Sequence, residues 1–312
     1  MAKENIPTFI VAPVRSGSTF LRLMLDSHPS IVNPGECDFL FDLVSANGRN
    51  PEIDIYHDWL TYNRIFQAKH LKVEKKFNYP ELMNSFVNQL QKDDDVLTMN
   101  THRDFFKIPY IFPNARYIHL LRDPRDVARS CIGMGWAGNA YYGVDIWKEA
   151  EESWDVLKKL LKPDQYIEIK YEDLLDDINI GLTTICEFLG VEYSERMMDY
   201  AKNSSYGLPD KSLSYQWKKK YTDRDLQIVE GKVSKLLLER GYELSGYSPV
   251  KPNIFERLVL LIQNKIFCVQ LKIKTYGLNL YVKNVVANKF GINSWKNECK
   301  QRINVINIKG LK

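Results

Sequence analysis

The sequence predicts an α/β fold in which a central parallel sheet is flanked by helices. Short apolar runs bounded by turn residues alternate with stretches of helical periodicity, as expected when both faces of a parallel sheet are covered. Two of those runs also break directly into a loop that opens a helix. In such folds ligands bind at the carboxyl ends of the strands.

In chain order, residues 9–12 read as the first buried strand and pass into Pro13, Val14, Arg15, Ser16, Gly17, Ser18 and Thr19. A helix over 19–27 follows, with Leu21, Met24 and Leu25 on one face. Residues 96–99, 117–121 and 166–169 read as further strands. Asp123 before Pro124 is a natural cap and first turn for a helix over 124–134. Trp147, Ala150, Trp154, Leu157 and Leu161 recur at helical spacing within 144–161, and further helices are expected over 178–189 and 223–240. Gly241 ends the last of these, and Ser245, Gly246, Ser248, Pro249 and Pro252 mark a boundary. The expected division is a domain over 1–248 and a basic C-terminal extension over 249–312. Within the extension, 254–262 reads as helix. Phe267, Val269, Leu271 and Ile273 then alternate with polar residues, and Leu278, Leu280 and Val282 alternate again beyond Gly277. A hairpin is the expectation there, with an amphipathic membrane-surface helix as the alternative.

The chain has 312 residues, 45% of them hydrophobic and 26% charged, enough to bury a full core in one large domain. Its longest uninterrupted apolar stretch, 258–262, falls far short of the roughly 20 residues that span a bilayer. The N-terminus carries no apolar signal-peptide core. Five cysteines form an odd set without Cys-x-x-Cys spacing, which points away from a disulfide framework or zinc knuckle and toward a reducing cytoplasm. The net charge of +4 conceals an asymmetry: from Lys251 onward twelve Lys or Arg face only Glu256 and Glu298, giving +10 against −6 for the rest. Such an appendage suits contact with an anionic surface, and hence a membrane-peripheral location, whereas nucleic acid is not an expected partner.

The loop at 13–19 has the chemistry of an anion cradle. A strand that turns through small residues into a helix aims backbone N–H groups and the positive end of the helix dipole at one point. Ser16, Ser18 and Thr19 add hydroxyls, and Arg15 adds a permanent charge. No Lys follows Gly17, so the loop lacks the Gly-Lys-Ser/Thr ending that holds a magnesium-bound triphosphate. A second cradle lies after 117–121, where Arg122 at the strand end and Ser130 two turns into the helix suit one further phosphate. Two such loops suit a nucleotide phosphorylated at two separate places.

Together these motifs resemble the sulfotransferase family that uses 3′-phosphoadenosine 5′-phosphosulfate (PAPS), over roughly residues 7–242. The resemblance implies that Arg15, Ser16, Gly17, Ser18 and Thr19 form the P-loop-like phosphosulfate loop and that Arg122 and Ser130 grip the 3′-phosphate. It places Tyr171, leading Glu172, Asp173 and Leu174, near the nucleotide, with a looser match at Ser214, Gln216, Trp217 and Lys218. The run Leu25, Asp26, Ser27, His28, Pro29, followed by Gly35 and Glu36, is similar to the tyrosine-sulfating branch and to many bacterial members, where such a Glu serves as base. Asn100, Thr101 and His102 stand where the small-molecule branch has Lys, Thr and a His base, so His102 is the rival. His28 itself reads as a helix-end cap.

The implied reaction moves a sulfuryl group from PAPS, a small-molecule co-substrate, to an acceptor hydroxyl or amine. The acceptor is unidentified, with a glycan or lipid preferred. Arg15 would face the charge that develops on the 5′-phosphate, and no metal is required. The alternatives are an inactive binding protein on the same fold, suggested by Asn100 in place of Lys, and a nucleotide kinase, which the missing Gly-Lys-Ser/Thr disfavours. Trp59, Tyr62, Phe66, Trp136, Tyr141 and Tyr142 are candidate walls of the acceptor site.

Overall fold

A computed structural model describes residues 6–93 and 95–310; the N-terminal segment 1–5 and the last two residues of the extension lie outside it. Five strands, β1 (Thr8–Val11), β2 (Ile31–Val32), β3 (Val96–Thr101), β4 (Arg116–Leu121) and β5 (Tyr166–Lys170), form one sheet in the order β2-β3-β1-β4-β5. Every pairing is parallel. The chain leaves β1 first toward β2 and β3 and later toward β4 and β5. The switch point therefore lies at the carboxyl end of β1, where α/β sheets bind ligands.

Because side chains alternate across a strand, β1 feeds two cores. Phe9 and Val11 pack with Met99, Tyr117 and the helices α2 (Ile53–Leu60) and α3 (Tyr79–Leu90) on one face. Ile10 and Ala12 pack with Ile118, Leu120, α1 (Ser18–Asp26), α6 (Tyr171–Asp176) and α7 (Ile178–Leu189) on the other. A third cluster joins α4 (Pro124–Gly133), α5 (Ala140–Lys158) and α8 (Asp223–Glu239) through Val127, Val144, Trp147 and Val229. The predicted strands and body helices match these elements to within a few residues. The two-residue edge strand β2 is the one that periodicity did not reveal, being too short to alternate.

A buried polar frame fixes the start of α4. Arg125, 1% exposed, donates to both carboxylate oxygens of Asp123 at 2.9 and 2.7 Å and to Glu230 at 2.7 Å, and it stacks on Trp217 at 3.6 Å. The Trp217 indole donates to Asp123, and Asp126 accepts the backbone N–H of Trp217 at 2.9 Å. Farther along the sheet His119, fully buried, lies 3.2 Å from both Glu151 and Glu168 and stacks on Trp154. The two carboxylates hold the imidazole above its usual titration range despite burial.

The extension corrects one expectation. Where alternation suggested a hairpin, it forms the helices α9 (Ile254–Tyr276), α10 (Leu278–Phe290) and α11 (Asn293–Gly310). The run 267–273 is short enough to fit either period, and its intervening Gln and Lys residues are good helix formers. The helix ends where Gly277 adopts φ 79°. Among the described residues, no helix is long and apolar enough to cross a membrane.

Candidate active site

The loop from β1 to α1 is shaped by two residues with positive φ. Gly17 (φ 88°) caps α1, and a Cβ there would collide with the Tyr171 ring, so only glycine fits. Arg15 adopts φ 71°, an uncommon conformation for a residue with a side chain. Two contacts hold it. Its Nε donates to Ser130 Oγ at 2.8 Å and its carbonyl accepts from Arg122 Nη1 at 3.0 Å; Arg122 in turn lies over the Tyr171 ring at 4.4 Å. The first intrahelical bond runs from Leu21 N to Gly17 O. Among the described residues, the N–H groups of Ser18, Thr19 and Phe20 meet no acceptor, which leaves the donors of a helix N-terminus free for an anion.

Both cradles open into a single cavity of about 700 Å³, lined by Arg15, Gly17, Ser18 and Thr19 from the first and Arg122 and Ser130 from the second. Tyr171 forms another part of its wall. The strand-end arginines meet directly rather than occupying separate sites. Ser130, matched with Arg122 from spacing, is instead held by Arg15. Ser16 does not line the cavity; its Oγ is buried and has no hydrogen-bond partner.

Sequence reasoning missed Arg129 and most of the far wall, Tyr206, Leu208, Asp210 and Leu213. Arg129 was signalled by its place one residue before Ser130, whereas the far wall comes from irregular chain with no period. The two acids in the lining are already engaged: Asp126 accepts from Trp217 N, and Asp210 accepts from Ser212 N. Arg15, Arg122 and Arg129 outnumber these two acids, so the charged lining is net positive, beside an apolar wall that includes Phe20, Ile132 and Leu175. Behind it, Glu172 accepts from Asp123 N at 3.0 Å and Tyr242 OH at 2.9 Å, and burial pushes its carboxyl up to about 7.

The rival bases are neighbours. His102 Nε2 stands 3.7 Å from Glu36 Oε1, with the His side chain 6% and the Glu side chain 43% exposed. His102 Nδ1 lies 2.9 Å from the Ala12 carbonyl, which can only accept, so Nδ1 carries a proton and Nε2 is the atom turned toward Glu36. Asp38 secures the segment through the His102 N–H and Thr101 Oγ1. Asn100 acts as a strut: its Nδ2 donates to Ser18 O at 3.1 Å and its Oδ1 accepts from Asn33. His102 and Val14 also line a second cavity, of about 540 Å³, with Phe106, Ile146, Ser153 and Val156.

The aromatic walls expected for an acceptor are elsewhere. Trp59 and Phe66 belong to the first core, and Tyr141 and Tyr142 pack against Lys232. Tyr62 lies under the extension, and Trp136 is exposed on the linker after α4. The sequence reads His28 as a helix-end cap, but Ser27 is the C-cap of α1; the His28 ring instead accepts from Ser30 N at Nδ1 and donates from Nε2 to Glu192 O.

A parallel sheet whose switch point carries an arginine-bearing cavity beside a helix N-terminus is the arrangement with which α/β folds hold anionic ligands. Residues 7–195 match the model of the Sulfotransferase family, and the chain belongs to that family. It is 23% identical over 206 residues to a Caenorhabditis briggsae protein named as a candidate protein-tyrosine sulfotransferase, covering 62% of this chain and 68% of that one. It is 26% identical over 265 residues to the omega-hydroxy-beta-dihydromenaquinone-9 sulfotransferase Stf3 of Mycobacterium bovis, covering 74% of this chain and 63% of that one. Among solved structures, the sulfotransferase domain of the Synechococcus PCC 7002 olefin synthase shares the fold with a TM-score of 0.59 at 21% identity, over 78% of this chain and 98% of that domain.

Proposed function

We propose that this chain transfers the sulfuryl group of PAPS to an acceptor hydroxyl or amine. The observation that carries this reading is the meeting of Arg15 and Arg122, from two strand ends, in one cavity beside the free N–H groups of α1. One end of a doubly phosphorylated adenosine would face Arg15, Ser18, Thr19 and the helix N-terminus, and the other Arg122 with Arg129 nearby. Tyr171 would present a ring edge between them.

As the acceptor oxygen or nitrogen forms its bond to sulfur, the bond from sulfur to the 5′-phosphate oxygen breaks and its electron pair stays on that oxygen. Arg15 and the N–H groups of α1 stabilise the growing charge, and because the guanidinium stays ionised its role is electrostatic. The acceptor proton passes to Glu36, the more exposed member of the pair, with the His102 ring 3.7 Å away. Little covalent assistance is needed, since positioning and charge stabilisation dominate transfers of this kind. The second cavity, on the far side of Val14, is the acceptor approach in this reading. Its apolar wall and the omega-hydroxy-beta-dihydromenaquinone-9 in the name of the mycobacterial relative favour a lipid acceptor over a glycan.

The catalytic unit is residues 1–248, with 249–312 as a distinct extension; the body's three core clusters draw on nothing beyond the first unit. The test is incubation of the purified protein with PAPS labelled in the sulfuryl group and fractionated lipid and glycan extracts, read by mass. Label in an acceptor fraction with release of the bisphosphate supports the reading. Nucleotide binding with no transfer to any fraction would favour a binding protein instead.

A further inference from the structure

The helix α9 has two apolar faces. Asn264, Phe267 and Leu271 face the body, where Leu271 closes over Gly135 and Asn264 and Phe267 leave no room for a Cβ at Gly138. Asn264 Oδ1 accepts from Gly138 N at 2.6 Å, and Asn139 Nδ2 donates to Leu260 O at 2.8 Å. The opposite face carries Ile254, Leu258, Ile262 and Ile266 every four residues, with Phe255 and Val259 beside them. All six are exposed, Ile254 to 86% and Phe255 to 75%, and they form one stripe spanning roughly 18 Å along the axis. Met134 and Trp136, both exposed, lie on the linker that receives this helix.

Charge identifies what covers the stripe. The two acidic residues of the extension are neutralised: Glu256 pairs with Arg224 of α8 at 2.6 Å, and Glu298 pairs with Lys283 and Arg302. Arg257, Lys265, Lys272 and Lys274 have no carboxylate partner among the described residues. On a helical projection Lys265 and Lys272 edge the stripe on one side and Lys274 on the other. An apolar stripe edged by Lys265, Lys272 and Lys274, on a segment of net +10, matches the acyl-headgroup boundary of an anionic bilayer. It matches a protein groove less well, because no acid is left to set a register.

We infer that α9 docks this protein on an anionic membrane surface, its outer stripe buried among the headgroups and its lysines on lipid phosphates. The inference stands apart from the donor reading, and its test uses no PAPS. The full chain is mixed with vesicles of phosphatidylcholine alone or with phosphatidylglycerol, and the bound fraction is read by flotation. Association with the anionic vesicles is expected, weakened about tenfold by Leu258→Glu with Ile262→Glu and about fivefold by Lys265→Glu with Lys272→Glu. All four positions are solvent-facing, and unchanged melting temperatures confirm intact variants. No association, equal uptake by neutral vesicles, or indifference to both double variants overturns the inference. So does light scattering that finds a dimer which Leu258→Glu with Ile262→Glu converts to monomer, since a second copy would then be the occupant.

Discussion

The body and the extension use their apolar residues in opposite ways. In the body, three clusters place Phe, Leu, Ile and Trp inside, and the ion pairs of Arg125 and His119 are buried with them. The extension has three helices of 23, 13 and 18 residues, and its buried hydrophobics among the described residues are Leu280, Ala287 and Cys299. Order in the body is enforced by desolvated contacts that fail when one member is lost. The extension's helices pack on one another and on the body through few buried side chains, which leaves most of its apolar surface open.

This contrast is broken most severely at the site. Glu36→Gln is expected to lower turnover about 10²–10⁴-fold, the usual contribution of a positioned base. His102→Ala should lower it less, and the reverse order in steady-state assays would exchange their roles. Arg15→Ala should lower turnover about 10²–10³-fold with a smaller effect on bisphosphate binding. Arg122→Ala should act chiefly on binding, measured by calorimetry.

Stability sharpens the contrast next. Arg125→Met strands Asp123 and Glu230 as buried unpaired acids and should cost about 3–5 kcal/mol in urea unfolding. Arg257→Met in the extension should change it by less than about 0.5 kcal/mol. Glu172 gives a subtler effect with a defined sign. Its folded carboxyl sits near 7, above its ordinary range, so its contribution is fully present below the unfolded value and is lost as pH rises through about 7. Glu172→Gln should therefore gain on the native protein by on the order of 2 kcal/mol between about pH 5 and pH 8, read from urea midpoints. The smallest effect is expected for Leu258→Glu: turnover on a water-soluble acceptor unchanged within about twofold.

The sequence was readable where a local rule dictated the structure. The strand-to-helix breaks at Pro13 and Asp123 required particular backbone chemistry, and both cradles appear at their predicted strand ends. It was less readable where distant segments meet. Nothing near Ser130 indicated that Arg15 would hold it, because the two residues are 115 positions apart and Arg15 lies in a left-handed turn. Asn100 looked like the loss of a cation, whereas its amide braces the first turn of α1 from the neighbouring strand. Alternation at 267–273 misled because it was too brief to distinguish two periods.

The tight seat of α9 on Gly135 and Gly138 has a mechanical consequence. That linker continues directly from α4, whose last turn contributes Ile132 and Gly133 to the larger cavity and whose Ser130 steadies Arg15. Any load on the outer helix therefore enters the chain within a few residues of that chamber's rim.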